Sequence, residues 1–177
     1  GRPFYILREA WNILNAIAEG KIESGDEKKL NALKGETMAV IALCQFDLTR
    51  CFGYPYTKDN GASLGAPLID HLVGTYENPS RSTVAQAYDF IIETLEEAVT
   101  LMSEEKNNGR MNKYAARALL ARVYLYHNDN RKAFDMADQL IKDVDASGSY
   151  ALYPHEKYVA AWSVETKFGS ESFFEIA

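Results

Sequence analysis

Apolar residues return every three or four positions through most of this 177-residue chain, a spacing that suits amphipathic helices and little else. Between Phe4 and Ala18, the residues Ile6, Leu7, Ala10, Trp11, Leu14, Ile17 and Ala18 form one stripe that stops at Gly20. A longer run from about Glu27 to Phe52 places Leu30, Leu33, Thr37, Val40, Ile41, Cys44, Leu48 and Cys51 on its inner side, with Gly53 and Pro55 closing it. Ser82 offers an N-cap for a third helix carrying Val84, Tyr88, Ile91, Ile92, Leu95, Ala98, Val99 and Met102. Asn112 caps a fourth through Tyr126, and Asn130 opens a fifth through Val144 across the tight turn His127-Asn128-Asp129, which makes these two antiparallel neighbours. Past Gly148 and Tyr150-Ala151-Leu152-Tyr153, a short helix is expected from His155 to Trp162 and a strand from Ser172 to Ile176. No sheet of any size is expected, and the fold class is all-α.

With 47% hydrophobic residues the chain has enough apolar material for the core of one domain. Acidic residues outnumber basic ones 25 to 19, a formal charge of −6, so no net positive field attracts phosphate backbones, and nucleic-acid binding is not expected. Apolar stretches such as Met38 to Cys44 fall far short of the ~20 residues that cross a bilayer. The amino terminus lacks the charged-then-apolar layout of a signal peptide, starts without Met, and leads directly into helix, while the chain ends on the apolar run Phe173-Phe174-Glu175-Ile176-Ala177. Residues 1–177 are therefore expected to be a single helical domain cut from a longer protein. Cys44 and Cys51 share a helix face but sit roughly 10 Å apart along its axis at ~1.5 Å rise per residue. A disulfide needs Cα atoms within about 7 Å, so both are expected as reduced, buried thiols.

The fourth and fifth helices carry a repeat signature. In the tetratricopeptide frame of about 34 residues, Leu120, Ala121 and Tyr124 occupy the large, small and aromatic positions of the first helix. Asn128 falls at the turn, and Ala133 at the small contact of the second helix, with Ala137 and Leu140 extending the seam. Such a hairpin cannot bury its apolar face alone. The second and third helices can stack on it, with Ala39, Ala42 and Phe46 facing Ala87, Ile91 and Ala98. This is one good repeat and one degenerate one, interrupted by a long irregular loop.

That loop, Tyr54 to Ser80, is about twice the length at which structureless connections become unusual. Tyr54, Tyr56 and Tyr76 flank it with Asp59, Asn60, Asp70 and Asn78 between, a mix suited to sugars: ring faces for the C–H side of a pyranose, amides and carboxylates for its hydroxyls. Tyr54, Tyr56, Asn60 and Tyr76 are the candidate carbohydrate contacts, with Tyr158 and Trp162 as a second aromatic pair. Two motifs are set aside. Gly61-Ala62-Ser63-Leu64-Gly65 spells a nucleophile elbow, but neither the strand before it nor the helix after it is expected, and His71 is its one nearby base. Asp143, Asp145, Ser147 and Gly148 fit a calcium loop until its twelfth position, where Pro154 stands instead of a bidentate Glu. His71, His127 and His155 show no metal spacing, so no catalytic residue, metal or cofactor is expected.

Four stretches resemble the SusD/RagB family of outer-membrane lipoproteins. Gly35 to Tyr56, GETMAVIALCQFDLTRCFGYPY, resembles the family's Gly-Glu-Ala helix ending in Phe-x-Leu-x-x-x-Phe-Gly and a Pro: Gly35, Glu36, Phe46, Leu48, Phe52, Gly53 and Pro55 match, while Thr37 replaces the Ala. Arg81, Thr83 and Val84 open a second matching helix that runs to Met102, and Gly109 to Asp129, GRMNKYAARALLARVYLYHND, is the nearest match of the four. Ala133 to Leu152 follows as a helix and a Tyr-x-Leu. The resemblance implies a tetratricopeptide-type superhelix of which this chain is the central portion, and a non-enzymatic protein that captures oligosaccharide for a TonB-dependent SusC-like transporter. It also implies a surface-facing place at the outer membrane, held by a lipid anchor that this chain does not contain. The alternative on the residues alone is a tetratricopeptide adaptor gripping a peptide or protein in its groove.

Overall fold

The computed structural model describes residues 2–22, 25–162 and 167–175. Its elements run α1 (Arg2–Ala18), α2 (Glu27–Phe52), β1 (Leu64–Pro67), β2 (Arg81–Thr83), α3 (Val84–Leu101), α4 (Lys113–Tyr126), α5 (Asn130–Ser147) and α6 (Tyr158–Ala161), with single 3-10 turns at Tyr56–Lys58 and His155–Lys157. Among the described residues the chain is all-α but for two short strands.

Side chains at the helix ends fix these limits. The Asp26 carboxylate accepts from the amides of Lys28 and Lys29 at 3.0 and 3.3 Å, satisfying donors that the first turn of α2 leaves free. Thr83, one residue after the expected Ser82, caps α3 in a reciprocal box with Gln86: Gln86 N donates to the Thr83 hydroxyl at 3.1 Å and Thr83 N to Gln86 Oε1 at 2.9 Å. Asn112 accepts from Ala115 N at 3.0 Å to start α4, and Asp129 from Lys132 N at 3.1 Å to start α5. Gly148, at φ +62°, ends α5 in the left-handed conformation a glycine adopts without strain.

The first five helices pack in succession, α1 on α2, α2 on α3, α3 on α4 and α4 on α5. The central α2 is therefore buried on two sides rather than along the single stripe its periodicity suggests. Met38, Ala39, Ala42 and Phe46 face Ile91, Leu95 and Ala98 of α3 and Ala116, Leu120 and Val123 of α4, in a core that also takes Ala133 of α5. Ile41, Cys44 and Leu48 face Leu7 and Ala10 of α1. A third cluster joins Tyr114, Leu140, Val144 and Tyr150. The two hairpins thus share one seam, and its small residues let the helices approach closely.

Three expectations are corrected. Both cysteines are free, as expected, but only Cys44 is buried; Cys51 is exposed. The seven-residue spacing does keep them on one face, yet a face is covered only as far as its neighbours reach, and Cys51 lies at the last turn of α2. The long loop contains a two-stranded antiparallel ribbon, with Leu64 opposite Thr83 and Pro67 opposite Arg81. The strand expected at Ser172 is not formed through Glu175, where the chain makes bends; Ile176 lies outside the described residues.

Candidate functional site

Residues 54–83 form a long excursion between α2 and α3, and core side chains fasten it. Gln45, fully buried in the middle of α2, donates from Nε2 to the Pro67 carbonyl at 3.1 Å and accepts at Oε1 from Ile69 N at 3.3 Å. Trp11 of α1 donates from Nε1 to the Ile69 carbonyl at 3.1 Å. Arg81 donates to the carbonyls of Gly65 and Leu64 at 2.6 and 2.7 Å, and the Ser82 hydroxyl to that of Ala66 at 3.1 Å. Glycines let the chain lie this close: a Cβ on Gly53 would stand 2.7 Å from the Thr49 carbonyl oxygen and 2.8 Å from Val84 Cγ2. Nothing in local periodicity announces this fastening, because each bond spans 16 to 58 residues.

Of the four candidate sugar contacts, three are exposed. Tyr54 is 58% exposed, with the Lys58 ammonium 3.0 Å from its ring centroid. Asn60 sits exposed at the turn with φ +54°, and Tyr76 is 96% exposed. Tyr56 is half-buried: its ring lies edge-on to Tyr88 at 5.7 Å and tilted on His127 at 4.3 Å, so it braces the excursion against α3 and the α4–α5 turn. Tyr54, Tyr56 and Asn60 share one end of the excursion. Tyr76 belongs to its other part, beside an open groove of about 690 Å³ whose walls include Asp70, His71, Glu77, Arg81, Asp89 and Glu93. An apolar hollow of about 300 Å³ formed by Phe4, Pro67, Ile69, Val73 and Pro79 adjoins it at His71. Tyr158 and Trp162, also exposed, meet edge to face at 6.2 Å.

The His71 ring bridges two carboxylates, with Nδ1 2.6 Å from Asp70 Oδ1 and Nε2 2.7 Å from Glu77 Oε1. Those bonds, Asp70 first and then Glu77, hold its pKa above the ordinary imidazole value. The Glu77 carboxylate lies below its usual range because the Gly74 amide and His71 both donate to it. The Ser63 hydroxyl donates to Asp59, whose carboxylate that bond pulls below the ordinary value; Ser63 leads into β1 and is not the turn from a strand into a helix. Asp143 lies within α5, held by Gln139 at 2.9 Å and Arg117 at 2.7 Å, and these bonds lower its pKa. Among the described residues, no group of three or more His, Cys, Asp or Glu side chains is placed to hold a metal ion.

The motif residues have structural roles. Arg110 forks onto Glu36, with Nε to Oε2 at 2.8 Å and Nη2 to the same oxygen, and Met111 N donates to Glu36 Oε1 at 3.0 Å. One carboxylate on α2 thereby ties down the linker between α3 and α4. The neighbouring Gly35 lets α3 come close, since a Cβ there would be 2.9 Å from the Ala98 carbonyl oxygen.

The comparisons with known proteins converge. Residues 4–125 match the SusD-like family model described as "Starch-binding associating with outer membrane". A SusD superfamily protein of known structure from Bacteroides vulgatus ATCC 8482 is 95% identical over the whole chain, with a TM-score of 0.97, and the chain covers 40% of it. A SusD superfamily protein from Bacteroides thetaiotaomicron VPI-5482 is 41% identical over 98% of the chain, TM-score 0.91, with 37% of that protein covered. A third structure, a candidate sugar-binding protein from the same B. vulgatus strain, is 38% identical over 97% of the chain, TM-score 0.87, with 39% of it covered. No curated protein matches the chain. The chain thus spans about two fifths of the length of the solved structures it resembles. With the family pattern running through α1 to α4 and near-complete superposition on its members, this chain belongs to the SusD-like family.

Proposed function

We propose that the chain is the helical portion of a longer, non-catalytic glycan-capture lipoprotein at the bacterial outer membrane, which binds oligosaccharide at the cell surface and hands it to a TonB-dependent SusC-like transporter. The observation that carries this reading is the match of residues 4–125 to a family described by starch binding and association with the outer membrane. The exposed rings of Tyr54 and Tyr76 and the exposed Asn60 supply the stacking faces and amide that a sugar chain uses, with Tyr56 bracing the segment that presents Tyr54 and Asn60.

Calorimetric titration of the full-length protein and of residues 1–177 with a panel of oligosaccharides, with product analysis, tests this. The full-length protein is expected to bind an oligosaccharide without releasing new reducing ends, and residues 1–177 more weakly. Tyr54→Ala and Tyr76→Ala are each expected to lose about 1 kcal/mol or more of binding. Release of reducing ends by the full-length protein would overturn the reading. Tight binding of an unstructured peptide in place of any sugar would make the protein an adaptor.

A further inference from the structure

The C-terminal ends of α2 and α4 meet in a surface that combines exposed rings with cations. Phe52 and Tyr54 follow one another out of α2 at 65% and 58% exposure, and Leu125 and Tyr126 leave α4 at 57% and 45%. The two ends are joined through the core ring of Phe46, which meets Tyr126 edge-on at 5.4 Å, and through Tyr56, which reaches His127. Three cations gather on these rings. Arg50 lies 4.8 Å from the Phe46 centroid and 5.4 Å from that of Tyr126, Arg122 lies 5.4 Å from Phe46, and Lys58 sits on Tyr54.

Two carboxylates lie nearby: Asp47 is paired with Arg50, and Asp59, next to Lys58, takes the Ser63 hydroxyl on one oxygen and is held below its ordinary value by that bond first and also by the Lys58 charge. Among the described residues neither Arg122 nor Lys58 forms an ion pair; each is held by a ring face. In a chain of formal charge −6, the three cations Arg50, Lys58 and Arg122 against the two carboxylates Asp47 and Asp59 leave this group of side chains with a positive excess, beside exposed apolar residues. A ring quadrupole holds an exposed ammonium or guanidinium weakly, so a ligand carboxylate can take either cation from its ring at little cost. The groups required are then a ring face for the C–H side of a pyranose and a cation for an acidic substituent on it.

We propose that this surface, built from Tyr54, Lys58, Arg122 and Tyr126, binds a carboxylate-bearing oligosaccharide, so that the captured glycan is acidic. This rests on the glycan-capture reading above and adds the chemical class of the sugar. The uronate carboxylate pairs with Lys58 or Arg122 while the pyranose lies along Tyr54 or Tyr126. Arg50, committed to Asp47, fixes the rings and does not contact the ligand.

The test is calorimetric titration of the full-length protein with oligogalacturonate, with maltoheptaose as the uncharged sugar and oligoglutamate as the acidic non-sugar. Oligogalacturonate is expected to bind, to weaken with added salt, and to lose at least tenfold in affinity in the Lys58→Gln, Arg122→Gln double variant. Both residues are exposed, and an unchanged melting temperature shows that the variant is folded. Oligogalacturonate binding unchanged in the double variant overturns the inference, as does oligoglutamate binding equally well. Maltoheptaose binding with no response to oligogalacturonate also overturns it while leaving glycan capture intact. Binding of no sugar by the parent defeats both.

Discussion

Gly35→Ala separates packing from helix propensity, because the two act in opposite directions at this position. In a helix interior the change favours the fold by about 1 kcal/mol, since glycine loses more backbone freedom on folding. At Gly35, however, the new Cβ would stand 2.9 Å from the Ala98 carbonyl oxygen, 2.7 Å from Met102 Cγ and 3.0 Å from Leu101 Cβ. Met102 is 4% exposed and has little room to swing away, and the Ala98 oxygen is main chain that moves only if α3 moves. Overpacking of this kind costs about 1 to 3 kcal/mol, and a backbone obstacle puts Gly35 toward the upper end. The expected net loss is about 1 to 2 kcal/mol, or a melting temperature lower by roughly 2 to 8 °C for a domain of this size. Thermal melts followed by circular dichroism read it directly. Gly25→Ala is the control, because a Cβ there meets nothing within 4 Å, and it should stay within about 0.5 kcal/mol of the parent. A Gly35→Ala protein melting at or above the parent would show that α2 and α3 are not packed as closely as described.

Native alkylation should label exposed Cys51 quickly and Cys44 only on unfolding, because burial pushes the Cys44 thiol up to about 11; peptide mapping distinguishes them, and equal rates would refute the burial. His71 should titrate above its ordinary 6.5, and Glu77→Gln should bring it back toward that value in an NMR titration. Since its folded pKa is raised, the clasp between Asp70 and Glu77 is complete below about 6.5 and is lost as pH rises through the folded value, so exchange protection of residues 70–77 should fall over that window. Gln45→Leu keeps the volume but leaves the Pro67 carbonyl and the Ile69 amide unpaired, a loss of about 2 to 4 kcal/mol by urea unfolding; a neutral result would mean that the excursion is not anchored by this side chain.

The helices were legible because their information is local. Gly53 after the last apolar turn and Asn112 ahead of α4 mark their boundaries in the residues themselves, and the small residues of the α4–α5 hairpin announce its seam. Gly35, Glu36 and Arg110 were readable as a family pattern, whereas the fork that explains them joins positions 74 residues apart. The ribbon stayed hidden for the same reason: Leu-Gly-Ala-Pro and Arg-Ser-Thr have no alternation, and they are strands because each lies against the other. Composition correctly marked residues 54–80 as unusual, but could not tell a ring that faces solvent, such as Tyr76, from one enclosed by neighbours, such as Tyr56. Cys51 shows the limit of periodicity, which assigns a face without saying how far along the helix that face is covered.

The amide of Gln45 also bears on how the ribbon presents itself to other chains. Its two bonds, to the carbonyl of Pro67 and the amide of Ile69, are those that a residue in a neighbouring parallel strand would make opposite Leu68. One side chain from the core therefore takes the last carbonyl of β1 and an amide just beyond it, while β2 pairs with the strand. Pro67 offers no N–H, and β2 is three residues long. A four-residue strand ended in this way gives an incoming chain a short row of donors and acceptors to copy, which works against strand-by-strand aggregation through β1 even though the ribbon lies outside the helical core.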